Sequence, residues 1–134
     1  IVSNVPQGTG LMVMAGDSVE VTGNKFHDNQ SFGVALIGLN LFFGEDYVYD
    51  VDPIPDACWV HNNDYQNNGY EPAKIVVESG LDGADLLWDV TGYTNNWHEK
   101  NVSSIPPTLP DKNWSWISRK TNYRIWRLLF NIFG

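Results

Sequence analysis

The sequence predicts an all-β protein: a fragment of a right-handed parallel β-helix, or solenoid, with about three coils and a C-terminal α-helix. Three observations lead to this fold class. A polar and aromatic motif recurs along the chain, short strands accompany each copy, and no helix-length apolar pattern separates the copies. Repetition of one short unit is typical of stacked architectures in which each unit covers the next.

The recurring motif places an asparagine three residues after an aromatic residue. Its copies are NKFHDNQ at 24–30, NDYQNNG at 63–69 and TGYTNNW at 91–97. In stacked coils the aromatic rings would form an interior ladder. The asparagines would form a second ladder at a turn, because asparagine tolerates a left-handed backbone and its amide can bond the next coil. The predicted ladder residues are Phe26, Tyr65, Tyr93, Asn29, Asn68 and Asn96.

Two kinds of strand accompany the motif. The first kind precedes each copy and alternates apolar with polar residues; its apolar members are Val19, Val21, Cys58, Val60, Leu86 and Trp88. The second kind is a short apolar run, found at 10–16, 33–39 and 73–79. Such runs are typical of strands in parallel sheets that are buried on both faces. We therefore expect each strand to pair with its equivalent in the next coil.

The repeat divides the chain into three regions. Coils occupy residues 1–97, an extended Pro/Ser linker occupies 98–113, and an amphipathic helix occupies 114–134. Because the last coil of a solenoid has unpaired edges, we expect this helix to pack on the solenoid or to cap it. The basic and aromatic part of the helix, residues 121–134, also has the composition of a helix that contacts a membrane surface.

An acidic insertion, residues 40–57, lengthens the middle coil. It combines carboxylates with aromatic rings, which suits sugars, and its oxygen-rich composition suits Ca²⁺, which takes roughly six to eight oxygen ligands. The predicted ligand-binding residues are Phe43, Glu45, Asp46, Tyr47, Tyr49, Asp50 and Asp52. Among them, Asp46, Asp50 and Asp52 are the predicted calcium ligands, and no other cofactor is indicated. The alternative is a solvated loop whose rings cover the flank of the coils.

Charge and cysteine content restrict the function. Of the net charge of −8, residues 1–111 carry −13 and residues 112–134 carry +5. The acidic body would repel phosphates, so nucleic acid is not an expected partner. Cys58 is the only cysteine, which excludes an intrachain disulfide, and we expect it to be a buried, small apolar residue.

The quoted copies carry a family resemblance. SVEVTGNKFHDNQSFGVALIGL, NNDYQNNGYEP, DLLWDVTGYTNN and the later IPPTLPDKNW resemble the last coils of secreted bacterial right-handed parallel β-helix repeat proteins, over roughly residues 8–115. More narrowly, they resemble an uncharacterised group of exported or lipoprotein β-helix proteins. The resemblance implies a secreted, periplasmic or cell-surface location and further coils before Ile1. The wider superfamily includes carbohydrate-binding proteins, polysaccharide lyases, hydrolases and epimerases.

Catalytic chemistry has little support in the sequence. A cationic base for β-elimination is scarce, because the first arginine is Arg119, and no carboxylate pair shows the pattern of a glycoside hydrolase. The candidate catalytic residue is His61, which follows a strand near the insertion. His27 is expected to be an outward polar residue, and no partner for His98 is evident.

We therefore expect a binding or scaffold module for an extracellular polysaccharide or a partner protein. One alternative is a polysaccharide lyase or epimerase. The other is a subunit of a cell-envelope assembly that docks through its basic, aromatic tail.

Overall fold

The computed structural model describes residues 6–39 and 52–133, with side chains described through Leu129. Within this part of the chain, the elements in order are β1 (Thr9–Met14), β2 (Glu20–Thr22), β3 (Lys25–His27), β4 (Phe32–Ile37), β5 (Trp59–His61), β6 (Asp64–Gln66), α1 (Lys74–Glu78), β7 (Ala84–Trp88), β8 (Asn96–His98), β9 (Ser104–Ile105) and α2 (Trp116–Phe133).

The strands form three parallel sheets. The first sheet has the order β1–β4–β7–β9, the second has the order β2–β5–β8, and the third contains β3 and β6. Strands that are neighbours in a sheet are never consecutive in the chain, as parallel pairing requires a crossover between them. The described chain is therefore mainly β, with one long helix at its C-terminal end.

The core consists of residues that lie in register on successive strands. In the second sheet, Val21 lies opposite Val60, and Val60 lies opposite Trp97. In the first sheet, Leu36 lies between Val13 and Trp88. All six belong to one buried cluster, which also contains Cys58 at 1% exposure. The prediction that Cys58 is buried is therefore confirmed.

Strand β4 is buried on both of its faces. Leu36 faces the main core, whereas Phe32 and Ala35 belong to a second cluster that includes Val76 of α1. This arrangement explains the continuous apolar run that the sequence shows at 33–39. Each residue of β4 therefore contacts packed side chains on the face to which it points, so truncating one leaves a cavity.

The segment 73–79 forms the helix α1, and the prediction of a strand there was wrong. Gly80 has a φ of 79° and ends the helix, since its N–H donates to Val77 O at 3.0 Å and the N–H of Leu81 donates to Val76 O at 3.1 Å. This Schellman geometry depends on the left-handed backbone that glycine adopts readily. Strand β7 takes the place in the first sheet that was expected for 73–79. The predicted equivalence of Leu86 and Trp88 with the strands at Val21 and Val60 was therefore also wrong.

Left-handed backbone corners recur with the sequence repeat. Positive φ angles occur at Ser18 and Ala57, at Gly23 and Asn62, and at Asp28 and Asn67. Each pair is separated by 39 residues, the separation of the first two motif copies. The left-handed residue of the motif is thus the one before the ladder asparagine. Asn and Asp are the non-glycine residues that tolerate this conformation best.

The predicted linker contributes a strand. Within 98–113, β9 pairs with β7, so that Ser104 lies opposite Leu86 and Ile105 lies opposite Leu87. The carboxylate of Asp85 holds the approach to β9, because its Oδ2 accepts the Ser103 N–H at 2.9 Å. The segment therefore extends the first sheet instead of only connecting the preceding strands to the helix.

Helix α2 is attached to the sheets through its inner face. Ser115 precedes it, and its Oγ accepts the Ser118 N–H at 3.1 Å, as an N-cap residue does. The Arg119 guanidinium donates to Asn95 O at 2.8 Å, to Asp111 O at 2.9 Å, to Tyr93 O at 3.3 Å and to the Asn96 side-chain oxygen. Burial of this guanidinium lowers the pKa of Arg119. These bonds fix the helix against the turn before β8.

Candidate functional site

A cleft of about 400 Å³ lies where the end of the insertion, the turn after β7 and helix α2 meet. We call it the acidic–aromatic cleft. Its lining residues are Asp52, Ile54, Asp56, Thr91, Gly92, Tyr93, Tyr123 and Arg127. Concave sites with ring faces and a few convergent polar groups are typical of small-molecule binding.

The turn after β7 positions one wall of this cleft. Trp88 donates its indole N–H to Thr91 O at 2.7 Å, and Asp89 accepts the N–H of Gly38 at 2.9 Å and that of Thr91 at 3.2 Å. Burial raises the pKa of Asp89, although the hydrogen bonds from Thr91 and Gly38 and the nearby Arg127 oppose the rise. The turn is therefore held at both ends by buried hydrogen bonds.

Two tyrosines and an arginine form the opposite wall. The rings of Tyr93 and Tyr123 meet edge to face, with centroids 5.5 Å apart. The guanidinium of Arg127 lies 5.9 Å from the Tyr123 centroid and donates to Val90 O at 3.3 Å. Helix α2 thus contributes a cation and a ring to a cleft that Asp52 and Asp56 also line.

Three carboxylates gather beside the cleft. Oxygens of Asp17, Asp52 and Asp56 all lie within 4.8 Å of one another. Burial raises the pKa of Asp56, and the Asp52 and Asp17 carboxylates raise it further, against a lowering by the Thr94 hydroxyl. Such oxygens suit a hard cation, but exposed acidic groups of this kind are also common without one.

The predicted loop residues have different outcomes. Asp52 lies in the wall of the cleft. The other predicted ligand-binding and calcium-binding residues fall outside the described residues; they are Phe43, Glu45, Asp46, Tyr47, Tyr49 and Asp50. Sequence reasoning missed Asp17 and Asp56. The repeat could have found both, because they are 39 residues apart and form a parallel bridge.

His61 lies in β5 with both ring nitrogens engaged. Its Nε2 is 2.7 Å from Glu20 Oε2 and its Nδ1 is 3.0 Å from Asn62 Nδ2, while its ring stacks on Trp59 with centroids 3.5 Å apart. The side chain is 8% exposed. A general base needs a ring nitrogen within reach of the substrate. The geometry therefore does not favour the predicted catalytic role of His61.

The structure gives His98 a partner that the sequence did not indicate. Its Nδ1 lies 2.6 Å from Asp111 Oδ2, and both residues line a second cleft of about 430 Å³ together with Trp97, Glu99 and Trp114. Asp111 follows a proline-rich segment that the sequence presents as a linker, so no local pattern joins the two residues. A carboxylate on Nδ1 orients an imidazole and fixes its tautomer.

The first two copies of the motif form ladders, but the third copy lies elsewhere. Phe26 and Tyr65 stack with centroids 5.6 Å apart, and Asn29 Nδ2 donates to Asn68 Oδ1 at 2.9 Å. The ladder continues to Asp85, whose Oδ1 accepts from Asn68 Nδ2 at 2.9 Å.

The predicted ladder roles of Tyr93 and Asn96 were therefore wrong. Tyr93 lies in the acidic–aromatic cleft, and Asn96 begins β8 opposite Trp59. The reason is that residues 91–97 lie between β7 of the first sheet and β8 of the second, whereas the first two copies follow a second-sheet strand and contain β3 and β6 of the third sheet. The similarity of residues 91–97 to the first two copies belongs to a different turn.

Comparison of the chain with protein families, with curated proteins and with solved structures found no significant match. Among the described helices, none combines the length and the apolar character that crossing a bilayer requires.

Proposed function

We propose that this chain is part of an exported module that binds a neutral extracellular polysaccharide. The acidic–aromatic cleft carries the proposal, because it places ring faces, two carboxylates and a guanidinium around one concave surface. Ring faces pack against the apolar faces of sugar rings, carboxylates accept hydrogen bonds from hydroxyls, and a guanidinium donates them.

The charge of the protein favours a neutral glycan over an acidic one. Residues 1–111 carry a net charge of −13, and the carboxylates of Asp52 and Asp56 border the cleft directly. A polyuronate would have to approach this negative potential with only Arg127 as a compensating cation in the wall. Like-charge juxtaposition disfavours such a complex and slows its formation.

We further propose that the fold is a right-handed parallel β-helix. Successive strands from β1 to β9 fall in sheets one, two, three, one, two, three, one, two and one. Such an order is what stacked coils produce, and crossovers between parallel strands are right-handed in nearly all proteins. Export is proposed on the resemblance of these repeats to secreted bacterial β-helix proteins. Cell fractionation with the natural gene tests it, and recovery in the cytosol would contradict it.

The binding proposal is tested by titration calorimetry of the purified chain against a panel of neutral and acidic polysaccharides. We expect a neutral glycan to bind, and we expect Asp52→Asn to weaken it about tenfold, which corresponds to about 1.4 kcal/mol. This variant can retain the acceptor for the Ile54 N–H, now at 3.0 Å from Asp52 Oδ1, so it is not expected to disturb the fold.

Two controls accompany this titration. Asp82→Asn removes an exposed carboxylate outside the cleft and should leave the affinity unchanged. Titrations with added Ca²⁺ and with a chelator show whether the three carboxylates need an ion. Equal affinities of Asp52→Asn and the unaltered chain, or selective binding of polyuronates, would sink the proposal for this cleft.

The His98–Asp111 pair favours a second candidate function, acid–base catalysis on an acidic polysaccharide by a lyase or an epimerase. An imidazole held through Nδ1 by a carboxylate has the arrangement of a general base, and the pair borders the second cleft. We expect a lyase to release unsaturated uronates, which absorb in the ultraviolet, or an epimerase to change the sugar composition. Loss of either activity in His98→Gln but not in His27→Gln supports this function. No product with the unaltered chain contradicts it.

A further inference from the structure

The outer face of helix α2 is apolar and exposed. Ile117, Ile125 and Leu128 are 70%, 49% and 62% exposed, and Trp116 at the start of the helix is 63% exposed. With Thr121, the first three residues recur at the spacing of one helix face. We call Trp116, Ile117, Ile125 and Leu128 the outer stripe.

Among the described residues, the body of the protein leaves this stripe uncovered, because α2 contacts the body through the opposite face. Tyr123 and Trp126 pack against the main core, and the Arg119 guanidinium bonds the turn before β8. Asn122, on the same inner side, is 9% exposed and accepts from the Thr108 hydroxyl at 2.6 Å. A rotation of the helix that buried the stripe would break all of these contacts.

Cationic side chains border the stripe. Arg124 is exposed, and the Lys120 ammonium lies 4.6 Å from the centroid of the Trp116 ring. Within the described residues neither cation forms a salt bridge, and the sequence from Lys112 onward contains no acidic residue. The stripe therefore has a positively charged border, which favours an anionic binding partner.

We propose that the outer face of α2 binds the surface of an anionic lipid bilayer, with the helix axis parallel to the surface. An amphipathic helix with a basic border lies in the interface, where its apolar residues enter the acyl boundary and its cations contact anionic headgroups. Trp116 fits this position because tryptophan is enriched at the interface of membrane and water.

A second copy of the chain is a less suitable occupant. Pairing two outer stripes would bring Lys120 and Arg124 of one copy close to the same cations of the other. Like charges at such a contact oppose association. An acidic partner protein also matches the charge, but an anionic bilayer offers an apolar acyl boundary directly beside its charged headgroups, which suits an apolar stripe with a basic border.

Vesicle co-sedimentation tests the proposal with the full chain. Vesicles contain phosphatidylcholine alone or with a third of phosphatidylglycerol. We expect binding to the anionic vesicles, with a blue shift of tryptophan fluorescence that is smaller in Trp116→Phe. The double variant Ile125→Ser and Leu128→Ser should bind at least about tenfold more weakly, because two exposed apolar side chains no longer enter the interface.

The matched control is Ile75→Ser with Val77→Ser on α1, whose side chains are 47% and 58% exposed and lie on another helix. This variant should bind as the unaltered chain does, and Lys120→Gln with Arg124→Gln should lose the preference for anionic vesicles. Equal affinity of the two double-serine variants for anionic vesicles would overturn the proposal. The proposal would also be overturned if the chain bound to neither kind of vesicle and instead formed a dimer, or bound an acidic protein, through Ile125 and Leu128.

Discussion

The two equivalent segments that begin at Asp17 and at Asp56 pair differently from the C-terminal half of the molecule. Between Asp17 and Asn29, each residue in a β-pair or ladder lies opposite the residue 39 positions later, from the Asp17–Asp56 bridge to the hydrogen bond between the Asn29 and Asn68 side chains. In the C-terminal half the separations change: Trp59 lies opposite Asn96, and Leu86 lies opposite Ser104. A constant separation requires the same corners in both copies, and the recurring left-handed φ angles supply them.

This difference in pairing separates the regular, structural part of the molecule from the part that contains the acidic–aromatic cleft. Where two segments have the same length and the same corners, equivalent side chains stack on one another, and few of their polar groups and ring faces remain available to a ligand. In the C-terminal half, Tyr93 lies in the turn between β7 and β8 instead of in a third-sheet strand, and it lines the acidic–aromatic cleft. Loss of repetition therefore coincides with the candidate site, as expected when function resides in the segments between regular elements.

The largest expected effect tests whether stability resides in the stacked strands. Leu36 is 1% exposed and lies in register between Val13 and Trp88. Leu36→Ala should lower the free energy of unfolding by about 2–5 kcal/mol, measured by urea denaturation, because it opens a cavity between successive strands. Leu128→Ala, at an exposed position on α2, should change it by less than about 0.5 kcal/mol. Similar losses in the two variants would contradict this division of the molecule.

The predictability of the fold follows the same division. The equivalence of Val21 with Val60, and of Phe26 with Tyr65, could be read from the sequence because both copies have the same length and alternation. The position of Tyr93 could not, because residues 91–97 resemble the motif in sequence but lie in the turn between β7 and β8, where the first two copies have no counterpart. The wrong prediction for residues 73–79 has another cause. Their β-branched residues favour a strand, but Gly80 provides a helix end and Val76 packs in the second cluster against β4.

The candidate site was less predictable than the fold. Asp52 was found through composition, because the insertion concentrates acids. Arg127 and Tyr123 come from a helix that is distant in sequence. His98 meets Asp111 because the chain runs beside β8 again there, where the Trp97 N–H donates to Pro110 O at 2.8 Å. Contacts of this kind depend on tertiary packing, which no local pattern encodes.

A second prediction compares two glycines, one in each region. Gly92 has a φ of 85°, and a Cβ there would lie 1.8 Å from Pro55 O. Gly92→Ala should therefore cost about 2–4 kcal/mol of unfolding free energy, from backbone strain together with overpacking. Gly23, with a φ of 71° and open space around it, should lose only about 1 kcal/mol in Gly23→Ala. Thermal and urea unfolding of both variants check this, and equal losses would show that the approach to Pro55 is unimportant.

A third prediction concerns the attachment of α2 to the sheets. Arg119→Met removes the hydrogen bonds to the Asn95 and Asp111 carbonyls and should destabilise the protein by about 2–3 kcal/mol, since bonds to charged groups contribute more than neutral ones. Hydrogen exchange should rise in α2 more than in β4. Arg124→Met on the exposed side of the same helix is the matched control. Unchanged exchange in Arg119→Met would mean that the apolar packing of Tyr123 and Trp126 alone holds the helix.

The smallest effect concerns Asp56, where the repeat meets the cleft. Its raised pKa means that the native state binds a proton more tightly than the unfolded chain, so the ionised group lowers stability at neutral pH. This loss diminishes as the pH falls through the raised pKa toward the ordinary value of 3.8. Asp56→Asn should therefore be more stable than the unaltered chain at pH 7, and the difference should shrink on acidification. Urea denaturation across this pH range measures it, with the exposed Asp82→Asn as control. A stability difference between the two chains that stays constant with pH would show that the charge of Asp56 does not destabilise the native state.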